Sequence, residues 1–422
     1  VPEKTIAVAL LLPDLTRTSA EEHLEELAKL IDTAGGSVAE RVIAKRPAPD
    51  PATYVGKGKA EELGRIAKHH QATLIVFDDD LSPAQVRNLE KMTEVRVIDR
   101  SALILDIFAG RARSREARTQ VELAQLEYML PRLTRAWTHL ERQAGGIGTR
   151  GVGETQLELD RRIIRTRIAR LKEELSKIEQ HRETQRKARK AAFTVALVGY
   201  TNAGKSTLFN RLTSGSVDAV DKLFATLDAK SAKAVFETPR ETVIIDTVGF
   251  IRKLPHHLVA SFRSTMEEAV SADLVLHLID HSHPQFEEQR AIGEQVLADL
   301  GVDPDRVLEV YNKADRLPQP DVEPYRESSR RNAVLVSALT GGGIERLAEM
   351  IRERELAEGE VLHLVIPHEQ SRLAAQLHEV AEVYEQRATD DGTLLTAWIP
   401  KSAVHQFAPY VVLPASHAVK AS

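Results

Sequence analysis

The run Gly199-Tyr200-Thr201-Asn202-Ala203-Gly204-Lys205-Ser206-Thr207 sets two glycines, a lysine and a hydroxyl at the spacing of a phosphate-binding loop. Phe193 to Val198 before it reads as a buried strand and Thr207 to Leu212 after it as a helix, the context such a loop requires. Its glycines let the backbone wrap an anion with N–H groups turned inward, reinforced by the positive end of the helix. Lys205 is expected to reach the β- and γ-phosphates of a nucleotide. The Ser206 hydroxyl is small enough to ligate Mg2+ while the ion keeps most of its octahedral shell. A loop of this kind arises by chance in on the order of one chain per hundred. By itself it would also serve an ATP-driven motor or helicase.

Further motifs narrow the chemistry. Val243-Ile244-Ile245 leads into Asp246-Thr247-Val248-Gly249, which offers a carboxylate able to hold Mg2+ through water and, in the Gly249 N–H, a sensor of the γ-phosphate. Val307 to Tyr311 leads into Asn312-Lys313-Ala314-Asp315. Asp315 can accept hydrogen bonds from guanine N1–H and the 2-amino group, and a site built this way rejects adenine by leaving a carboxylate unpaired. Asn312 braces the loop and the Lys313 stem covers the purine face. After Val334-Leu335-Val336, the turn Ser337-Ala338-Leu339 offers the Ala338 N–H to guanine O6. Each residue in isolation reads as a strand-end turn residue. Four motifs in order, each at the carboxyl end of an apolar strand, predict GTP as substrate, with Lys205 and Gly249 in the catalytic set. Several threonines lie between Ser206 and Asp246, and Phe224-Ala225-Thr226-Leu227-Asp228 is the candidate first switch segment.

Phosphoryl transfer needs an in-line water, Mg2+ and positive charge near the developing oxygens. Phe250 directly follows Gly249, where many small GTPases carry a water-orienting glutamine, and a phenyl ring makes no useful hydrogen bond. A low intrinsic rate is therefore expected. Arg252 and Arg263 are nearby candidates for an arginine finger, each weighed against a surface or structural role.

The elements that must position these residues follow from periodicity. The fold class expected is α/β: a P-loop GTPase domain with an N-terminal parallel α/β domain, a long helical hairpin and a small C-terminal α+β domain. In residues 1–112, Ile6 to Leu12, Thr73 to Phe77 and Val95 to Ile98 read as strands, and Glu21 to Thr33, Lys59 to His70 and Pro83 to Met92 as helices. Pro47 to Pro51 reads as a connection. Residues 113–190 change period. Leu123, Leu126, Leu130, Leu133, Trp137 and Leu140 form one seam and Ile164, Ile168, Leu171, Leu175 and Ile178 a second, most simply packed antiparallel, with a kink or restart at Pro131. A helix from Thr119 to Glu141 would be roughly 35 Å long. Residues 191–355 hold the nucleotide motifs. In residues 356–422, Val361 to Ile366 and Thr393 to Ile399 read as strands, with a helix from Glu369 to Gln386 between them.

Composition sets the outer limits. With 422 residues, 28% charged, the chain is too long for one ordinary core, and no apolar stretch is long enough to cross a bilayer. It has no cysteine, which excludes disulfides and thiol catalysis. Val1-Pro2-Glu3-Lys4 lacks a secretion signal, so a cytoplasmic protein is expected. The net charge is −5, yet residues 111–190 carry 20 Lys and Arg against 11 Asp and Glu. A solvated helical surface and an anionic partner both fit that local excess. Gly56-Lys57-Gly58-Lys59 precedes a helix but lacks the length and Ser/Thr of a P-loop, and reads as a turn with basic residues facing solvent or RNA.

Several of these stretches together resemble the HflX family of ribosome-associated GTPases, within the broader group that holds the Era and Obg proteins. They are Gly145-Gly146-Ile147-Gly148-Thr149-Arg150-Gly151-Val152-Gly153-Glu154-Thr155-Gln156-Leu157-Glu158-Leu159-Asp160-Arg161-Arg162, Tyr54 to Lys59, Phe224 to Asp228 and Asp246 to Phe250. The family usually has Pro where Val152 stands, and the C-terminal tail carries no matching signature. The resemblance implies that Thr226 is the second protein ligand of Mg2+ and joins the catalytic set. Asn202 is similar to a K+ ligand of the Era-like group, or else is a turn residue. It also implies a large ribosomal subunit and its RNA as partner, met by the hairpin near the peptidyl-transferase region, with GTP binding coupled to separation of the subunits. Assembly of ribosomes, ATP-dependent RNA remodelling and a scaffold role remain the alternatives. A monomer is expected.

Overall fold

The computed structural model describes residues 2–133, 152–188, 192–214, 223–224, 228–236, 241–253, 268–317, 332–389 and 392–412. These fall into two units by contact. The first takes in residues 1–181 together with 220–228 and 248–266, and the second the remainder.

In the first unit, β1 (Glu3–Leu11), β2 (Gly36–Lys45), β3 (Leu74–Phe77) and β4 (Arg96–Asp99) form a parallel sheet in the order β2-β1-β3-β4. Ile6 to Leu10 and Leu74 to Phe77 are buried throughout, as expected for parallel strands covered on both faces. Helices α1 (Arg17–Thr33), α2 (Lys57–His70), α3 (Pro83–Thr93) and α4 (Arg100–Arg111) supply the covers. Their starts are written locally. Thr16 caps α1, Ser82 and Gln85 form a reciprocal capping box on α3, and Asp99 caps α4. The same Asp99 carboxylate, fully buried, accepts from the Tyr128 hydroxyl at 2.8 Å and from Arg132 at 2.9 Å, binding the next helix to the sheet edge. Two elements were not foreseen. Strand β2 is an edge strand that exposes Glu40 and Arg41 in succession and buries only Val42 and Ala44, and α4 follows β4 without a break.

Helix α5 (Arg115–Met129) ends two residues before Pro131, whose ring removes an N–H and clashes with the preceding turn. The helix is thus interrupted where a kink or restart was expected, and it does not run unbroken from Thr119 to Glu141; residues 134–141, with Trp137 and Leu140, lie outside the described residues. Helix α6 (Val152–Ala188) carries the second seam, with Leu171 buried and Ile164, Ile168, Leu175 and Ile178 half-buried. Among the described residues, ion pairs join the two helices from Arg115 to Glu174, Arg167 to Glu122 and Lys172 to Glu127, at 2.7, 2.7 and 2.8 Å.

In the second unit β5 (Phe193–Gly199), β6 (Lys230–Lys233), β7 (Thr242–Asp246), β8 (Leu274–Asp280), β9 (Val307–Asn312) and β10 (Ala333–Leu335) form a sheet in the order β10-β9-β8-β5-β7-β6, antiparallel only at β6. Val195, Leu197, Leu276, Leu278, Leu308 and Val310 fill its core. The tail adds β11 (Gly359–Ile366), β12 (Glu382–Thr389) and β13 (Gly392–Pro400) as an antiparallel sheet ordered β11-β13-β12. Here the expected helix from Glu369 to Gln386 is corrected. It runs only from Ser371 to Val380, and Glu382 to Thr389 pairs with β13 instead, because that pairing satisfies the backbone of β13 on its second edge. Trp398, 1% exposed, anchors the tail by donating its indole N–H to the Leu356 carbonyl at 3.1 Å. Among the described residues no helix is long and apolar enough to cross a membrane.

His277 on β8 lies against Gly293, where an added Cβ would sit 2.2 Å from the imidazole Nε2. Burial lowers its pKa from 6.5 to about 4, so the ring is neutral in the folded chain near pH 7. The unfolded chain then binds the extra proton between those values. Stability contributed by the neutral ring is fully present above pH 6.5 and is lost as pH falls toward 4, by at most about 3 kcal/mol. Urea unfolding of the His277→Gln variant across that range should show a shallower acid loss than the parent; parallel curves would exclude His277 as the titrating group.

Candidate nucleotide site

The loop between β5 and α7 (Lys205–Leu212) needs both its glycines. Gly199 has φ +146° and an added Cβ would fall 2.2 Å from the Leu278 carbonyl oxygen; Gly204 has φ +99° and the equivalent atom would strike the Asn312 amide nitrogen at 2.2 Å. The loop closes on itself: the Lys205 ammonium donates to the carbonyls of Gly199 and Tyr200 at 3.1 and 2.9 Å. Burial lowers the pKa of this ammonium from 10.5 to about 8, and the Asp246 carboxylate opposes the shift. A buried cation whose partners are neutral carbonyls is one that a phosphate would stabilise strongly. Asn202 is exposed at φ +63°, a turn conformation that asparagine tolerates.

Ser206 and Asp246 meet at this loop. The Ser206 hydroxyl donates to Asp246 Oδ2 at 2.9 Å, and Asp246 is fully buried at the end of β7. Two hard oxygen donors side by side fit the requirements of Mg2+. Thr247 holds the strand end by donating to the Leu197 carbonyl at 2.7 Å. Val248, Gly249 and Phe250 continue the chain into the first unit, where Val248 and Phe250 are buried. Thr207 is the third residue of α7, in its first turn.

The base-reading motif is joined to the phosphate loop by one carboxamide. Asn312, 2% exposed at the end of β9, donates from Nδ2 to the Ala203 carbonyl at 2.8 Å and accepts at Oδ1 from the Ala338 N–H at 2.9 Å. The Ala338 N–H, expected to face guanine O6, thus has an intramolecular acceptor here. Lys313 adopts φ +64° and its ammonium pairs with Asp280 Oδ2 at 2.7 Å. Ala314 donates to the Val336 carbonyl, and Asp315 accepts from the Ser337 hydroxyl at 2.5 Å. Leu339 is 67% exposed and Arg211 donates to the carbonyls of Ala338 and Leu339. Asp280 was missed in the sequence, although an aspartate ending the apolar strand Leu274–Ile279 is the same signal that marks Asp246 and Asn312.

Of the first switch segment, Phe224 and Asp228 are described, whereas Ala225, Thr226 and Leu227 lie outside the described residues, as do Arg150 and Arg263. Arg252 is not free to act as a finger. Its guanidinium lies 3.5 Å from Glu26 and 3.9 Å from Asp78, and the adjoining Lys253 pairs with Asp78 at 2.9 Å.

Comparison with known proteins identifies the family. Family models described as GTP-binding GTPase N-terminal, GTP-binding GTPase Middle Region and 50S ribosome-binding GTPase match residues 21–109, 111–189 and 194–313. The GTPase HflX of Magnetococcus marinus is 46% identical over 93% of this chain and 92% of its own, and that of Escherichia coli is 45% identical over 90% of each. The chain belongs to the HflX GTPase family. As a member it is a P-loop protein that binds and hydrolyses GTP. A solved GTP-binding protein of Sulfolobus solfataricus, in complex with GDP, is similar at 23% identity and TM-score 0.45 over 84% of this chain and 99% of that one.

Because Asn312 serves both loops, its loss strands buried groups on each. Asn312→Ala should cost about 1–3 kcal/mol of stability and raise the Kd for GTP by roughly tenfold or more. Thermal unfolding and calorimetric titration would measure both; an unchanged Kd would show that the carboxamide does not organise the site.

Proposed function

We propose that this chain is a guanine-specific GTPase that works on the large ribosomal subunit. The observation that carries the nucleotide half is the Asn312 bridge, which sets the base-reading loop at a fixed distance from the phosphate loop. In this reading Gly199 to Thr207 cradle the phosphates, Lys205 and Gly249 act on the γ-phosphate, and Asp315 with the Ala338 N–H reads guanine. Lys313 covers the base and Asp280 holds that lysine in place. Ser206, Asp246 and, from the first switch segment, Thr226 hold Mg2+, the last two through water and directly. Bound there, Mg2+ would neutralise charge on the β- and γ-phosphate oxygens. The chain's own part is to orient the phosphates, exclude bulk water from Lys205 and leave the attacking water without a side-chain base at Phe250, which keeps intrinsic turnover slow. A K+ ion at Asn202 is the candidate for the missing positive charge, tested by turnover in KCl and NaCl at equal ionic strength; equal rates dismiss it.

The ribosomal half is supported by the matched family description and by the excess of Lys and Arg in residues 111–190. Arg161 is half-buried and Arg162 exposed on α6, next to the glycine-rich run that precedes it in sequence. Five glycines in nine residues suit close approach to another backbone, with the arginines on phosphates. Dissociation of subunits or rescue of stalled ribosomes in the cytoplasm is the role this reading favours.

Asp315→Asn should move base preference from guanine toward xanthine nucleotides, since an amide can donate to the carbonyl that replaces the 2-amino group. Competition between GTP and XTP decides it; retained guanine preference removes Asp315 as the reader. Lys205→Ala should abolish tight binding of either nucleotide with an unchanged circular dichroism spectrum, and retained affinity would contradict its role.

For the ribosome, Arg150→Ala combined with Arg161→Ala should weaken sedimentation with large subunits by roughly tenfold and flatten its salt dependence, because fewer counterions are released. GTP affinity should stay as in the parent. Undiminished sedimentation would locate the RNA contact elsewhere on the chain.

A further inference from the structure

The first switch segment is fastened at both of its described ends, and both fastenings lie on one corner of the N-terminal unit. At one end Phe224, 2% exposed, takes φ +54°, a conformation that a bulky aromatic residue adopts only when its surroundings impose it. Its ring is held against Phe108 on α4: the rings meet edge to face with centroids 4.7 Å apart, and Phe108 is itself 1% exposed. At the other end stands Asp228. Its Oδ2 accepts from the backbone N–H groups of Arg113 and Ser114 at 3.1 and 3.2 Å, and its Oδ1 accepts from the Ser114 hydroxyl.

Ser114 is the N-cap of α5, and its hydroxyl oxygen in turn accepts from the Ala117 N–H at 3.0 Å. The start of a helix is an anion site, with backbone donors and the positive end of the dipole aimed outward. Here the anion is the chain's own carboxylate, delivered by the switch segment. Ser114 therefore works as a relay, donating to Asp228 on one side and capping α5 on the other, so the carboxylate polarises the hydroxyl that holds the first turn. Only Ala112, Arg113 and Ser114 separate α4 from α5, so the ring contact and the carboxylate contact grip the two helices on either side of a three-residue corner.

We propose that this corner receives the nucleotide state: movement of the first switch segment is passed through Asp228 and Ser114 into the first turn of α5, the helix that leads toward the basic, glycine-rich stretch. The proposal rests on the reading that Thr226, two residues before Asp228 in sequence, follows the γ-phosphate and Mg2+. Drawing Thr226 toward the nucleotide pulls Asp228 off the cap, so the first turn of α5 loosens with GTP and tightens with GDP. Ser114 acts through Asp228 and is a positioning residue.

Hydrogen exchange of the full chain, followed on peptides covering residues 113–120 in GDP and in a non-hydrolysable GTP analogue, tests it, with affinity for a fluorescent guanine nucleotide measured in parallel. The parent should exchange faster with the analogue by roughly tenfold, the size expected when one side-chain cap is released. Ser114→Ala should bind nucleotide as the parent does, exchange quickly in both states and bring the ratio of the two rates close to one. Ser114→Thr, which keeps the hydroxyl and remains a good cap, should restore the ratio. A merely structural cap would speed exchange in both states and leave the ratio intact, which overturns the proposal, as does a parent ratio near one in protein that binds nucleotide. A parent that binds no guanine nucleotide would instead overturn the reading of the site itself.

Discussion

The nucleotide site depends on a single buried carboxamide. Asn312 bonds the carbonyl of Ala203 in the phosphate loop and the N–H of Ala338 in the last loop, so three segments distant in sequence share one pair of side-chain atoms. It can do so only because Gly204 has no Cβ at the point of closest approach. An amide offers one donor and one acceptor at fixed spacing, and here each is used by a backbone group that would otherwise be buried without that partner. The sheet order places β9 and β10 on the far side of β8 from β5, which leaves the loops at their carboxyl ends along one edge, where ligands bind in open α/β sheets.

Around that bridge, two ionised groups are buried in hydrogen-bond contact with neutral groups and a third is already paired. Lys205 is buried with only carbonyls and a distant carboxylate to support its charge, which lowers its pKa to about 8. Asp246 is buried beside a hydroxyl. Lys313 has Asp280, and Asp315 has Ser337. In the proposed reading a polyanionic nucleotide with its Mg2+ would supply partners of opposite charge for Lys205 and Asp246, and the base a partner for Asp315. The same principle runs through the first unit, where Asp78, 1% exposed, is surrounded by Arg100, Arg252 and Lys253, which together hold its carboxyl below the usual range against the opposing effect of burial. Arg252 is thereby committed to structure, which leaves Phe250 without an arginine beside it in sequence that could assist hydrolysis.

The sequence made the phosphate loop, the strand-end Asp246 and the Asn312 to Asp315 motif legible because their spacing is dictated by local backbone geometry. Strands buried on both faces, such as Ile6 to Leu10 and Leu274 to Ile279, announce themselves as continuous apolar runs. Elements defined by a distant partner were not legible. Strand β2 interrupts its apolar run with the exposed Glu40 and Arg41, and β12 looks like a helix until β13 is present to pair with it. Arg252 resembled a finger candidate for the same reason: Glu26 and Asp78, which engage it, lie more than 170 residues earlier in the chain. Asp228 and Ser114 likewise stand 114 residues apart, and no periodicity links them.

Guanine selectivity is the claim on which the rest turns, and calorimetric titration of the full chain with GTP, GDP and ATP in the presence of Mg2+ tests it most directly. GTP and GDP should both bind, and ATP should bind weaker by roughly a thousandfold or more, since adenine would leave the Asp315 carboxylate without its donors. ATP affinity within tenfold of GTP affinity would contradict the account.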